Sequence, residues 1–287
     1  MKIPETLKQE YPFSSNHFEL SSGEKLHYID EGEGQIVILV HGNPTWSFYY
    51  RNLIKELRQN HRVIAVDNLG CGLSDKPQDY DYCLKNHISN LTEILSNLGV
   101  EKSHLVVHDW GGAIGLGWAT QNPEKVEKIV ITNTAAFPDI NIPARINICK
   151  IPFLGEKLVR HFNAFAYPAL YMAVKKPMPA NIKQGYILPY NNYENRIATS
   201  RFVKDIPMKK SHKTYSVLSK IENELPQLKG KKLILWGGQD FCFNDHFYKR
   251  WTDIYPEAQR KYYENAGHYV LEDESNASSF IQGFLND

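Results

Sequence analysis

The stretch Leu105, Val106, Val107, His108, Asp109, Trp110, Gly111, Gly112 constrains this chain most. A run of apolar and β-branched residues ends abruptly in an acid, a tryptophan and two glycines. The next residues, Ala113, Ile114, Leu116, Trp118 and Ala119, read as a helix. Strand, sharp turn and helix therefore follow one another with no linker. A strand that is apolar at every position is covered on both faces, which calls for helices on both sides of a sheet. The glycines free the backbone for a sharp turn, and the turn lifts one side chain, Asp109, out at the carboxyl end of a buried strand.

The same alternation recurs along the chain. Residues 35–41, 62–67, 126–132, 231–236 and 260–264 read as strands, the first of them continuously apolar. Residues 47–59, 86–98, 244–254 and 276–285 read as helices, the second with Ile88, Leu91, Ile94, Leu95 and Leu98 on one face and Gly99 as its stop. Residues 16–21 and 25–30 form an opening hairpin around Ser22-Gly23-Glu24. Repeated strand and helix argue for an open, mostly parallel sheet flanked by helices.

One stretch breaks the pattern. Residues 135–212 carry Pro138, Pro143, Pro152, Pro168, Pro177, Pro179, Pro189 and Pro207, with short helical pieces rich in Phe and Tyr between them. We expect a helical cap there, inserted into a core made of residues 1–134 and 213–287. At 287 residues and 42% hydrophobic content the chain can bury one large core carrying such an insertion.

Other classes are disfavoured. Lys and Arg total 33 against 32 Asp and Glu, so no nucleic-acid partner is implied. No run approaches the roughly 18 apolar residues of a membrane span. The N-terminus lacks an apolar leader core, and Cys71, Cys83, Cys149 and Cys242 show neither redox nor metal spacing, so a cytoplasmic location with reduced thiols is expected. The loop Gly70-Cys71-Gly72-Leu73-Ser74-Asp75-Lys76-Pro77 lacks the Gly-Lys-Ser/Thr ending of a phosphate cradle. No histidine pair has ligand spacing with a third partner, so no metal is expected, nor any other cofactor.

Ligands of such sheets bind outside the carboxyl ends of the strands. Four strand ends carry notable residues: His41-Gly42-Asn43, Asp109-Trp110, Asp240 and His268. Taken singly, an aspartate after a strand is a helix cap and a histidine is core or surface. Taken together, His41-Gly42-Asn43-Pro44-Thr45-Trp46, Val107-His108-Asp109-Trp110-Gly111-Gly112, Trp236-Gly237-Gly238-Gln239-Asp240 and Ala266-Gly267-His268 resemble the haloalkane dehalogenase branch of the α/β-hydrolases. The likeness runs through nearly the whole chain. A closer one lies in and around the cap. The glycine loop at 70–77, Phe162-Asn163-Ala164-Phe165-Ala166, Asn195-Arg196-Ile197-Ala198-Thr199, Arg201-Phe202-Val203 and the run 267–273 resemble the β-lactone decarboxylases of bacterial long-chain olefin biosynthesis.

The resemblance implies an α/β-hydrolase fold and an Asp-His-Asp triad of Asp109, His268 and Asp240. A carboxylate is ionised at neutral pH and needs no base before it attacks a saturated carbon. In a dehalogenase, His268 would then activate water against the resulting ester, with Asp240 holding the imidazole tautomer. In a lactone decarboxylase, the same carboxylate would open a strained four-membered ring and carbon dioxide would leave. Asn43 and Trp110 supply N–H donors for a halide or for a lactone oxygen, and their main-chain N–H groups supply an oxyanion hole. His41 and His108 are expected to be structural. Phe137, Phe165 and other cap aromatics are candidates for an apolar substrate pocket, and Arg196 for a carboxylate or lactone contact.

The implied substrate is small and apolar, a cis-3,4-dialkyl β-lactone or a haloalkane, and the implied partners are the other enzymes of an olefin pathway. Epoxide hydrolysis fits Asn43 and Trp110 poorly, and esterase chemistry lacks its elbow serine. A binding protein that has lost catalysis would normally lack a triad member, and none is missing.

Overall fold

The computed structural model describes residues 3–287. Its strands, in chain order, are β1 (Asn16–Glu19), β2 (Lys25–Glu31), β3 (Gln35–Val40), β4 (His61–Val66), β5 (Ser103–Asp109), β6 (Val126–Thr134), β7 (Lys231–Gly237) and β8 (Gln259–Tyr263). They form one eight-stranded sheet in the order β1-β2-β4-β3-β5-β6-β7-β8. β1 and β2 pair antiparallel at one edge, and every pairing from β4 to β8 is parallel.

The helices are α1 (Arg51–Leu57), α2 (Leu84–Asn97), α3 (Trp110–Gln121), α4 (Ala144–Lys150), α5 (Leu154–Phe162), α6 (Ala166–Met172), α7 (Ala180–Ile187), α8 (Ile197–Asp205), α9 (Lys213–Glu224), α10 (Asp245–Ile254), α11 (Val270–Asp273) and α12 (Ala277–Asn286). Among the described residues no helix is long and apolar enough to cross a membrane.

Side chains alternate across each strand, so a continuously apolar strand feeds two cores at once. Ile38, Val40, Leu105, Val107, Ile129, Ile131 and Ile234 pack on one face with residues of α2, α3, α9 and α10. Val37, Leu39, Val106, Val130, Leu233 and Leu235 pack on the other face with residues of α1 and α12. Each such Val, Leu or Ile is fully buried, which stabilises the sheet by about 1.5–3 kcal/mol per side chain. Six helices, α4 to α9, lie between β6 and β7. Ile146, Cys149, Val159 and Val203 form a small core among α4, α5 and α8, whereas Leu170 and Ile182 join one main core and Ile197 and Phe202 the other.

Two expectations need correction. The helix expected over 47–59 is instead a 3-10 turn at Ser47–Tyr50 followed by the shorter α1. Phe48, Tyr49 and Tyr50 are all buried, and the Ser47 N–H donates to Asp67 Oδ1 at 2.7 Å, so the turn is pinned inward and has no solvent face. β6 also runs two residues further than expected, to Thr134, and Asn133 within it has φ 36°.

Candidate active site

Asp109 closes β5 and precedes α3 with φ 53° and ψ −130°, a left-handed backbone that costs a non-glycine residue about 1–3 kcal/mol. The surroundings enforce it. A Cβ at Gly111 would collide with the Val40 carbonyl, and one at Gly112 with the Thr134 hydroxyl, so α3 starts hard against the sheet. The Thr134 hydroxyl donates to the Asp109 carbonyl. The Asn43 main-chain N–H donates to Asp109 Oδ1 at 2.5 Å.

His268 Nδ1 donates to Asp240 Oδ2 at 2.7 Å, which leaves Nε2 facing Asp109 Oδ2 at 3.7 Å. That second distance exceeds a hydrogen bond, so His268 and Asp109 face each other without being joined. All three side chains are buried.

Burial raises the Asp109 carboxyl to about 6, against the downward pull of His268 and of the Trp110 and Asn43 N–H groups. Burial would lower His268, but the carboxylates of Asp240 and Asp109 outweigh it and leave its pKa raised. Just above pH 6 the pair therefore combines an ionised Asp109 with a protonated His268, a state lost as the pH rises through the raised pKa of His268.

Three supports surround the acid and the base; those from Asn133 and the Cys242 N–H were not expected from sequence, whereas His108 was expected to be structural. Asn133 Nδ2 donates to Asp240 Oδ2 at 2.9 Å and to the Gly237 carbonyl at 3.1 Å, while its Oδ1 accepts the Gly237 N–H at 2.9 Å. The Cys242 N–H donates to Asp240 Oδ1 at 2.6 Å. His108 Nε2 donates to the His268 carbonyl at 3.0 Å, and its ring stacks on Tyr49. The only sequence hint for Asn133 is an Asn at the end of an otherwise apolar strand.

His41 also has a holding position. Its Nδ1 donates to the Gly42 carbonyl at 2.7 Å, and its Nε2 accepts the Asn68 N–H at 2.9 Å.

Above Asp109 lies a cavity of about 390 Å³. Asn43, Asp109, Trp110 and His268 line it, with walls from Phe137, Ile146, Phe165, Met172 and Leu218 among others. Few polar groups on an apolar wall suit an alkyl-bearing ligand. The Asn43 side-chain N–H₂ gives one bond to the Thr199 carbonyl of α8 at 3.2 Å. Trp110 Nε1 makes no hydrogen bond among the described residues, and the Trp110 ring leans on Phe202 at 5.3 Å.

Arg196 is not in this cavity, contrary to expectation. Its guanidinium donates to the carbonyls of Tyr190 and Arg160, each at 2.7 Å, so the fork that would grip a carboxylate is occupied by main chain. Most of the cap aromatics lie away from the cavity. Phe153, Phe162, Tyr167 and Tyr171 are exposed, and Tyr186 and Tyr190 are buried in hydrogen bonds to Glu272 and to the Thr45 carbonyl. Of these cap aromatics, Phe137 and Phe165 face the cavity.

The alpha/beta hydrolase fold family matches residues 35–275. A cis-3-alkyl-4-alkyloxetan-2-one decarboxylase of Shewanella oneidensis is 49% identical, covering 96% of this chain and 89% of its own. One of Xanthomonas campestris pv. campestris is 38% identical, covering 92% and 93%. Among solved structures, an ancestral haloalkane dehalogenase superposes with a TM-score of 0.87 at 24% identity, covering 94% of this chain and 98% of its own. At that identity the likeness concerns the fold.

Proposed function

The chain belongs to the alpha/beta hydrolase fold family, and from that premise we propose that it decarboxylates a cis-3,4-dialkyl-oxetan-2-one to a cis-alkene and carbon dioxide. The observation that carries this reading is a buried, desolvated carboxylate, Asp109, under an apolar cavity, in a chain 49% identical to such a decarboxylase.

Asp109 is the nucleophile in this reading. One Oδ attacks the ring carbon that bears the oxygen. The carbon–oxygen bond breaks, ring strain is released, and a free carboxylate and an alkyl ester of Asp109 result. Carbon dioxide then leaves from the neighbouring carbon, its bonding electrons form the alkene, and Asp109 departs as a carboxylate. Inversion in the first step followed by anti departure in the second returns the cis geometry of the lactone. No water is consumed, so His268 serves as a protonated counter-charge to the two carboxylates and Asp240 holds it there. Asn43 and Trp110 line the cavity beside Asp109, which supports a role for their N–H groups in receiving the carboxylate freed by ring opening. Residues 135–212 act as the cap that walls the substrate in.

Haloalkane hydrolysis is the second reading, because the same N–H donors suit a halide. Purified protein incubated with a long-chain cis-β-lactone, and separately with 1-bromobutane and 1,2-dibromoethane, decides between them. Alkene by gas chromatography without fast bromide release is the expected outcome. Fast bromide release without alkene overturns the proposal. The same reading carries an assembly with the enzymes that supply the lactone, which size-exclusion chromatography of co-expressed proteins tests.

The raised Asp109 carboxyl sets the pH dependence. A carboxyl at about 6 is protonated, and non-nucleophilic, below that value. The acid limb of kcat/KM is therefore expected near pH 6, about two pH units above an ordinary aspartate. A profile from about pH 4.5 to 8.5 measures it, and activity that stays flat down to about pH 5 would count against Asp109 as the titrating group.

A further inference from the structure

All eight large apolar side chains that the described residues expose lie between positions 140 and 171, led by Phe153 (91% exposed), Ile140 (72%) and Phe162 (68%). Exposed apolar residues scattered singly need no explanation, but a concentration on one segment does. α5 shows the anomaly best. Its inner face buries Gly155 and Val159 as an amphipathic helix should, yet Phe153, Leu154 and Phe162 stand in solvent where polar residues belong.

The charge of the same segment is equally uneven. Residues 140–183 hold seven Lys and Arg and one acid, Glu156, a net +6 in a chain whose total is +1, so the remainder carries −5. Glu156 is already paired with Arg160 and Lys204. Lys157 and Lys175 are exposed and make no ion pair among the described residues. Lys183 lies over the Tyr171 ring at 4.3 Å and Arg145 over the Phe241 ring at 5.3 Å, so cations sit directly beside aromatic surface.

We propose that the outer face of α4 to α6 and the loop 151–153 dock on an anionic lipid surface. Apolar side chains would enter the interface while unpaired cations meet the headgroups. The helices that carry this face also wall the cavity through Ile146, Phe165 and Met172, so docking places the cavity beside the lipid phase. The inference stands on the patch and its charge, whatever substrate the cavity takes.

Sedimentation of the full chain with vesicles tests it. Vesicles of phosphatidylcholine with about 30 mol% phosphatidylglycerol are expected to bind on the order of a hundredfold more tightly than phosphatidylcholine alone, and less so in high salt. A Phe153→Ser, Phe162→Ser variant is expected to lose at least about tenfold in binding, with its circular dichroism and its turnover of detergent-dispersed lactone unchanged. Lys157→Glu weakens the preference for anionic lipid. Absence of binding to anionic vesicles at low salt, or variants that bind like the parent, overturns the proposal. So does a complex with an acidic protein on this face in place of lipid.

Discussion

Asp109→Asn is expected to lower alkene formation from a cis-β-lactone by about 10⁴-fold or more, because the amide cannot form the alkyl ester. The same substitution is expected to stabilise the fold. The carboxyl is raised to about 6 by burial, above the roughly 3.9 of an unfolded aspartate. A carboxyl with a raised folded pKa adds stability below about pH 3.9, and that contribution is lost as pH rises through about 6. At pH 8 the ionised group therefore burdens the native state by up to about 3 kcal/mol, at about 1.4 kcal/mol per pH unit. An amide keeps the shape and removes the charge, while its oxygen still accepts the Asn43 N–H. Thermal melts at pH 8 should rise by several degrees, and the gain should shrink toward pH 4. Unchanged turnover by Asp109→Asn removes Asp109 as the nucleophile, and an unchanged melting temperature removes the desolvation argument.

Asp240→Asn is the second large effect, a loss of roughly 10²–10⁴-fold in kcat/KM. Asp240 is acceptor to three donors: His268 Nδ1, Asn133 Nδ2 and the Cys242 N–H. An amide N–H₂ at that place meets at least one donor head-on, so the imidazole loses its fixed tautomer and the charge that holds its pKa up. With His268 less often protonated, Asp109 has less to offset its own charge, and the acid limb should move to higher pH. Asn133→Ala leaves the carboxylate in place and loosens it, so roughly tenfold is expected, with a smaller shift of the limb. Rate profiles against pH for both variants separate a positioning role from plain loss of folded protein. An Asp240→Asn enzyme with parental rate and parental limb would show that His268 works without its acid.

The geometry explains why some of this was readable and some was not. β3, β5, β6 and β7 announce themselves because each carries an unbroken apolar run, Ile36–Val40, Leu105–Val107, Ile129–Ile131 and Leu233–Trp236, and each ends in a loop whose composition changes abruptly. Asp109, Asp240 and His268 stand at such ends, so a chain-order reading brings them to one rim of the sheet. Asn133 escaped because a polar residue inside a strand reads as a strand end. Its role depends on a register that brings β6 beside β7, which no local pattern records. Arg196 illustrates the opposite failure. Its residue type suits a carboxylate, but helix-end carbonyls from α5 and from residue 190 reach it first. Among the cap aromatics, Phe137 and Phe165 reach the cavity, but spacing on a short helix tells which residues share a face, not which face meets the cavity.

The partition between α4–α8 and the strand ends has a consequence for how such a chain can change over generations. The charge network of Asp109, His268, Asp240 and Asn133 is anchored mainly in the strand ends and the loops that follow them, with the Tyr269 N–H also tied to the Ala173 carbonyl at the end of α6 at 2.8 Å. Many of the cavity walls, such as Ile146, Phe165 and Met172, come from the cap segment, whose side chains take no part in that network. Substitutions there can retune chain length or branching one residue at a time while the reaction runs unaltered. Drift in the cavity walls and retention of the charged network can therefore proceed at different positions of the chain.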